Sequence, residues 1–506
     1  MVACVALLLA GAGRSDTGDI RVSVDDDTAD HIHPVHAPFT ITVESRGPGA
    51  ILYQWRDYKG RALTGPEGLE PGQPTRVAAP AGITGYLGLA IRPALQPQSL
   101  ENAWPGEERE YGFALLPPPS RVRPAAVPFG TVHTNIDDPY LRGWSKTTTW
   151  MTAGVGGWRD RMAGPRQHGL TELPIIVEDE WQTDDRSAVS NQQLAELRKR
   201  ARQYFAADAS VTYWETGIEE NLGGRYGLPY YWLNLERKAG ALRSAAADAG
   251  VPVRLVYQIA ELRFGDVSRF LRSSAAAYYD VLSLHPYDWP AFRPPEQWLP
   301  QFLSAAEKLV RDARPGMQIW ITEVGAPHQG NDARGFFGYP EKRAAVRGLS
   351  RPEAAGYLVK IHAIALSQGV GRIFWYNYQD RGASREKAED HFGLRDYAGH
   401  PKPAYVAYVT MLAQLGDGRF RRLLELPGNV RLYEFGDGAT TTVIGWVHGG
   451  HPDVGVAAAE LLQRSGARRI AGLHDVMGAP VPQDKSAMRF TGEPVYISLE
   501  YPASPQ

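Results

Sequence analysis

Residues 253–287 read VRLVYQIAELRFGDVSRFLRSSAAAYYDVLSLHPY. Two apolar runs bound the stretch, VRLVYQI (253–259) and DVLSLHPY (280–287), and neither shows the strict alternation of a strand with one wet face. Runs of that kind predict strands buried on both faces, the condition of a parallel sheet covered by helices. The segment 266–278 between them reads as a helix. A buried strand, a helix and a second buried strand make one βαβ unit.

The same grammar extends in both directions. Further strand-like runs are FGTVHT (129–134), GGWRDR (156–161), LPIIVED (173–179), VTYWET (211–216), QIWITEV (318–324) and RIFWYNY (372–378). Helices are expected at about 190–206, 229–249, 295–313, 351–368 and 402–415. The helix after 350 is fully punctuated: Ser350 and Glu353 form a capping box, Pro352 occupies its first turn and Gly369 closes it. Strands alternating with helices across 129–415 predict an α/β fold, a (β/α)8 TIM barrel. One unit is thin, since MAGPRQHG (162–169) leaves room for a very short helix or none.

The flanks differ. Residues 19–116 carry short alternating runs (IRVSV, FTITVES, AILYQW, GYLGLAIRP) separated by Asp, Gly and Pro, the pattern of a β-sandwich domain. Residues 117–128 form a stiff Pro-rich linker. After 416, NVRLYEF, TTTVIGWV and EPVYISLE predict a C-terminal β-sandwich domain reaching 506.

Composition narrows the function. A formal charge of −2 over 506 residues gives no footprint for nucleic acid or anionic membrane. The single cysteine, Cys4, excludes disulfides within the chain and thiolate metal sites. The apolar start MVACVALLLAGAGRS is too short to span a bilayer and reads as a truncated secretory signal (residues 1–18) lacking its basic head. A secreted or periplasmic protein is expected; a buried N-terminal strand is the other reading of that segment.

In such a barrel the chemistry sits at the C-terminal ends of the strands. Strand ends here offer His133, Arg159, Asp160, Glu178, Glu215, Glu219, His285, Tyr287, Glu323, Trp375 and Tyr376. Glu219 and Glu323 each end an apolar run, where a lone carboxylate is costly unless paired or used. The bland alternative has Glu323 paired to an arginine and Glu219 capping a helix. Two carboxylates at one barrel mouth instead suit glycosidic cleavage, in which one protonates the leaving oxygen while the other attacks or activates water. A metal-dependent hydrolase lacks the strand-end histidine pairs it would use.

The motifs carrying these residues resemble a known group. YWETGIEEN is similar to the strand-four W-E-x-G-N-E signature of clan A retaining glycoside hydrolases, and IWITEVGA to their strand-seven W-x-T-E-x-G signature. LSLHPY and HFGLRDYAGHPKPAYVAY (391–408) resemble their strand-six segment and the approach to the last helix, with family 39 as the nearest pattern. The resemblance covers about 127–415. It implies Glu219 as acid/base, Glu323 as nucleophile, the two carboxyl groups about 5 Å apart, and no metal or organic cofactor. It further implies a subsite lined by His285 and Tyr287, an aromatic floor at Trp375 and Arg159 beside the nucleophile. Glu215 then serves as an inner-barrel polar contact and Glu220 points away. One departure stands out: Ile218 occupies the position where the family carries an asparagine that bonds the sugar 2-hydroxyl.

Outside these motifs, the long segment 326–350 is expected to form a substrate-contacting flap with His328, Phe336, Phe337 and Tyr339. The loop bearing His391 is a second wall, His133 a rim contact, and Trp181 and Trp289 candidate stacking platforms. The run DDDTADHIHPVH (25–36) reads as a solvated turn rather than a metal site. The partner implied is a carbohydrate.

Overall fold

The computed structural model describes residues 21–25, 28, 30–46, 51–70, 72–93, 109–119, 127–135, 137–147, 154–176, 185–328, 336–339, 344–384, 387–416, 419–436, 440–450, 452–482 and 487–502. Residues 1–18, read from the sequence as a signal segment, and Trp181 lie outside them, as do the side chains of Phe336, Phe337 and Tyr339.

Eight parallel strands close into a barrel. They are β1 (Phe129–Val132), β2 (Gly143–Thr147), β3 (Leu170–Ile176), β4 (Tyr213–Thr216), β5 (Arg254–Ala260), β6 (Val281–His285), β7 (Gln318–Val324) and β8 (Ile373–Trp375). Seven helices cover it: α1 (Gly154–Gln167), α2 (Asn191–Ala207), α3 (Tyr231–Ala249), α4 (Phe264–Arg272), α5 (Leu299–Ala313), α6 (Arg351–Ser367) and α7 (Pro403–Leu415). The capping box at Ser350 and Glu353 starts α6 as expected.

The second unit corrects the sequence reading. GGWRDR lies inside α1, a full helix rather than a vestige, and the strand is GWSKT. Trp158 is buried, stacked on Trp214 at 5.4 Å, while its neighbours Gly157 and Arg159 are exposed. Ser145 and Lys146 break the apolar character of GWSKT, although both are buried.

Alternation along the strands builds the interior in layers. Trp144, Tyr213, Trp320 and Phe374 interlock at the lower end, with the Arg372 guanidinium 5.1 Å from the Trp144 ring centre. Two residues further along each strand come Lys146, Glu215 and Thr322, so a polar layer sits on an aromatic plug. The intervening residues face outward: Trp214 meets α1, and Trp375 stacks on His362 of α6.

Antiparallel sheets flank the barrel. A three-stranded sheet (Arg21–Asp25, Thr40–Arg46, Thr75–Ala78) and a five-stranded one enclose Ile41, Val43, Trp55, Leu87, Leu89 and Phe113. The solvated turn expected near residue 31 is in part packed: the rings of His33 and Phe39 stack at 3.6 Å, and His31 lies 4.9 Å from Phe113. Beyond α7 a second five-stranded sheet and a two-stranded ribbon carry a short helix, Ala458–Ser465, that strand periodicity did not announce. Glu110 of the N-terminal sheet accepts from Arg351 at 2.7 Å and from Tyr86 at 2.6 Å, which pins the sheet to the start of α6.

Strands β7 and β8 approach so closely that a Cβ at Gly325 would lie 2.0 Å from the Tyr376 carbonyl oxygen. Gly325→Ala should therefore separate the two strand ends. We expect a lower melting temperature, corresponding to about 1–3 kcal/mol of overpacking, together with reduced turnover in the soluble fraction.

Candidate active site

The mouth is organised from the polar layer upward. Lys146 Nζ lies 2.8 Å from Glu215 and 3.5 Å from Glu323. Its side chain is only 2% exposed. Burial works against the ammonium, yet the Glu215 and Glu323 charges outweigh it and hold the lysine above its ordinary pKa. Thr322 donates to Glu215, and His285 Nε2 lies 3.0 Å from the same hydroxyl.

Glu219 and Glu323 complete the site. β4 ends at Thr216, and the chain turns through Gly217 (φ 71°) and Glu219 (φ 44°), a left-handed conformation that a non-glycine residue adopts only under constraint. Gln258 supplies that constraint: its Oε1 accepts from the Glu219 N–H at 3.1 Å while its Nε2 donates to the Gly217 carbonyl at 2.5 Å. The turn brings Glu219 Oε1 to 2.9 Å from His285 Nδ1. Across the mouth Tyr287 donates to Glu323 Oε1 at 3.0 Å, and burial followed by the Glu323 charge raises the tyrosine well above its usual range. Glu219, His285 and Glu323 each present one atom within 4.8 Å of the others. A divalent cation could use such a trio, but Glu219 and His285 already face each other at hydrogen-bond distance, and the donor set equally serves proton transfer.

Several expectations need correction. Arg159 is an exposed residue of α1 bonded to the Ala207 carbonyl, on the outer wall; Lys146 is the strand-two cation beside Glu323. Trp375 faces the helix layer and is fully buried, because a one-residue shift along a strand reverses the face. Tyr376 takes the inward place, edge-on to Tyr287 at 6.4 Å and to Phe392 at 5.5 Å. His328 is fully buried with Nδ1 donating to the Ala326 carbonyl at 3.1 Å, and His391 is buried with Nε2 donating to the Ser384 carbonyl at 2.8 Å. Both hold loop backbone and present no face to a ligand. Trp289 is half-buried, edge-on to Phe292 at 5.7 Å.

His133 is exposed at the rim, 3.1 Å from Arg381, whose guanidinium lies 5.5 Å from the Tyr376 ring centre. Glu215 is an interior contact, and Glu220 turns into the outer layer to meet Arg225 at 2.8 Å and Tyr231 at 3.0 Å. Ile218 is 45% exposed. Lys146, Gln258 and Arg381 were not anticipated; the W-S-K alternation of 144–146 was the one signal that could have placed Lys146 inside.

Two outcomes follow. Lys146→Met leaves the buried Glu215 carboxylate without its cation and should cost about 3–5 kcal/mol in urea unfolding; adding Glu215→Gln should recover part of the loss. His285 is pushed down from 6.5 to about 4, by burial first and then by the Lys146 charge, against the opposing pull of Glu323 and Glu215. Between those pH values the unfolded chain takes up a proton that the folded site refuses. Stability should therefore be intact above pH 6.5 and fall as the pH drops toward 4, by on the order of 3 kcal/mol for this group alone, read as unfolding midpoints across that window.

No protein-family model and no curated protein matches the chain. Among solved structures it is similar to a family 39 glycoside hydrolase from the gut symbiont Bacteroides cellulosilyticus WH2, with a TM-score of 0.67 and 15% identity over 94% of this chain and 100% of that one. It is also similar to a family 51 arabinofuranosidase from Xanthomonas axonopodis pv. citri, with a TM-score of 0.42 and 11% identity over 69% of this chain and 78% of that one. Closed parallel barrel, flanking antiparallel sheets and their order along the chain thus give this protein the overall fold of a family 39 glycoside hydrolase.

Proposed function

We propose that the protein is a retaining glycoside hydrolase acting on a plant or microbial polysaccharide or its fragments. The observation that carries this reading is the meeting of Glu219 and Glu323, 104 positions apart in the chain, with a carboxylate oxygen of each within 4.8 Å of the other. Retaining enzymes hold their two carboxyl groups about 5 Å apart, whereas inverting ones leave a wider gap for water. In the proposed reaction Glu219 gives its proton to the glycosidic oxygen as Glu323 attacks the anomeric carbon and the C–O bond breaks. Water then attacks the glycosyl ester, returning a proton to Glu219 and freeing Glu323. Lys146 and the Tyr287 hydroxyl offset the charge on Glu323 and orient it. The apolar leader supports a secreted or periplasmic site of action.

A second reading, a barrel that binds glycan without cleaving it, is favoured by exposed Ile218, an apolar side chain with no means of bonding a 2-hydroxyl. Aryl glycosides and polysaccharides, with the first-formed anomer followed by NMR, test the proposal. Retention is expected, and Glu323→Gln should lower kcat by at least about a thousandfold while preserving binding. An inverted product removes Glu323 as nucleophile. Equal binding by wild type and variant with no hydrolysis of any substrate establishes the binding reading.

A further inference from the structure

Four side chains from strands β4, β6, β7 and the turn after β4 form a continuous line from the barrel interior to its mouth. Glu215 and Thr322 are 2.5 Å apart, Thr322 and His285 Nε2 3.0 Å, and His285 Nδ1 and Glu219 Oε1 2.9 Å. Glu215, Thr322 and His285 are fully buried, so each contact within the line must be made with the protons the residues themselves carry.

Those protons can be placed one by one. Lys146, 2.8 Å away, fixes Glu215 as a carboxylate, which only accepts. The single hydroxyl hydrogen of Thr322 must therefore point at Glu215. The Thr322 oxygen is left to accept, from the Ser283 hydroxyl and from an N–H on His285 Nε2. Burial and the Lys146 charge keep the imidazole neutral, so it carries one N–H only. With that hydrogen on Nε2, Nδ1 presents a bare lone pair to Glu219. A carboxylate oxygen at 2.9 Å would set two lone pairs against each other; a protonated one makes a hydrogen bond.

We propose that Thr322 and Glu215 are positioning residues that, through the tautomer of His285, hold a proton on Glu219 before each turnover. The inference rests on the acid role given to Glu219 above and adds the device that loads it. The charged and titratable groups facing the line are Lys146 from β2, Glu215 from β4, Tyr287 beyond β6 and Glu323 from β7, and Lys146 is the one that sets the polarity. When Glu219 gives its proton to the leaving oxygen, its O–H bond breaks and the carboxylate is left opposite the Nδ1 lone pair. That repulsion favours taking a proton back from the attacking water in the second half of the reaction.

Thr322→Val removes the relay while keeping the volume, and Thr322→Ser keeps the hydroxyl. In the valine variant the imidazole is free to carry its hydrogen on Nδ1 and donate to a Glu219 carboxylate. The alkaline limb of kcat/KM should then move down by about one pH unit or more. Turnover of glycosides with poor leaving groups should fall at least about tenfold further than that of activated aryl glycosides. Thr322→Ser should behave as wild type in both respects. Histidine 15N NMR gives a readout independent of hydrolysis: His285, identified by its absence in His285→Gln, should carry its hydrogen on Nε2 in wild type and on Nδ1 in Thr322→Val. An unmoved alkaline limb, or Nδ1–H in wild type, overturns the proposal. If no glycoside is cleaved, the hydrolase reading fails, and the 15N result alone decides whether the relay exists.

Discussion

Lys146 is a cation almost stripped of water and held between two carboxylates, Glu215 at 2.8 Å and Glu323 at 3.5 Å. A charge so placed is stable only while its partners are fixed, because its desolvation is offset by short-range attraction that falls quickly with distance. That requirement reaches outward through the structure. β2 must carry Lys146 inward, β4 must bring Glu215 to the same level, and β7 must place Glu323 above them. The aromatic plug of Trp144, Tyr213, Trp320 and Phe374 closes the layer below, so the polar layer lies between that plug and the mouth.

The same cation gives the mouth its direction. By fixing Glu215 as an acceptor it orders Thr322 and then His285, and it lies against Glu323 on the other side. Two glutamates in one cavity are thereby placed in unlike surroundings, one facing an imidazole and the other a tyrosine hydroxyl and an ammonium. A pair of carboxyl groups divided in that way suits the two roles of the proposed hydrolysis better than two equivalent acids would. The left-handed turn at Glu219, held by Gln258, adds the geometric half of the arrangement, since strain at that residue persists only because surrounding bonds determine it.

Flanking sheets contribute at a distance. The buried Glu110–Arg351 pair ties the N-terminal sheet to the first turn of α6, the helix that follows the long connection after β7. The hairpin inside that connection, Phe336–Tyr339 with Ala344–Arg347, returns through Arg347, whose N–H donates to the Pro290 carbonyl in the loop after β6. Loops bordering the mouth are thus anchored both to each other and to a neighbouring sheet.

By itself the sequence determined the alternation of buried strand and helix, and with it the barrel, because apolar periodicity and caps such as Ser350 and Gly369 are local properties. It also singled out Glu219 and Glu323, since an acid ending an apolar run is conspicuous in one dimension. His285 and Tyr287 were legible beside them, but that Lys146 and Gln258 serve them was decided only by tertiary structure. GWSKT concealed β2, because inward-facing Lys146 is polar for reasons found on other strands. Trp375 and Tyr376 are adjacent and both aromatic, and only the closure of β8 against β1 and β7 settles which ring faces in. His328 and His391 sit in loop sequence typical of a binding wall, yet they fold inward to satisfy backbone carbonyls that local sequence does not identify. A side chain's chemistry is written in the chain; the charge, partner and face it meets are set by segments far away, brought close by barrel closure.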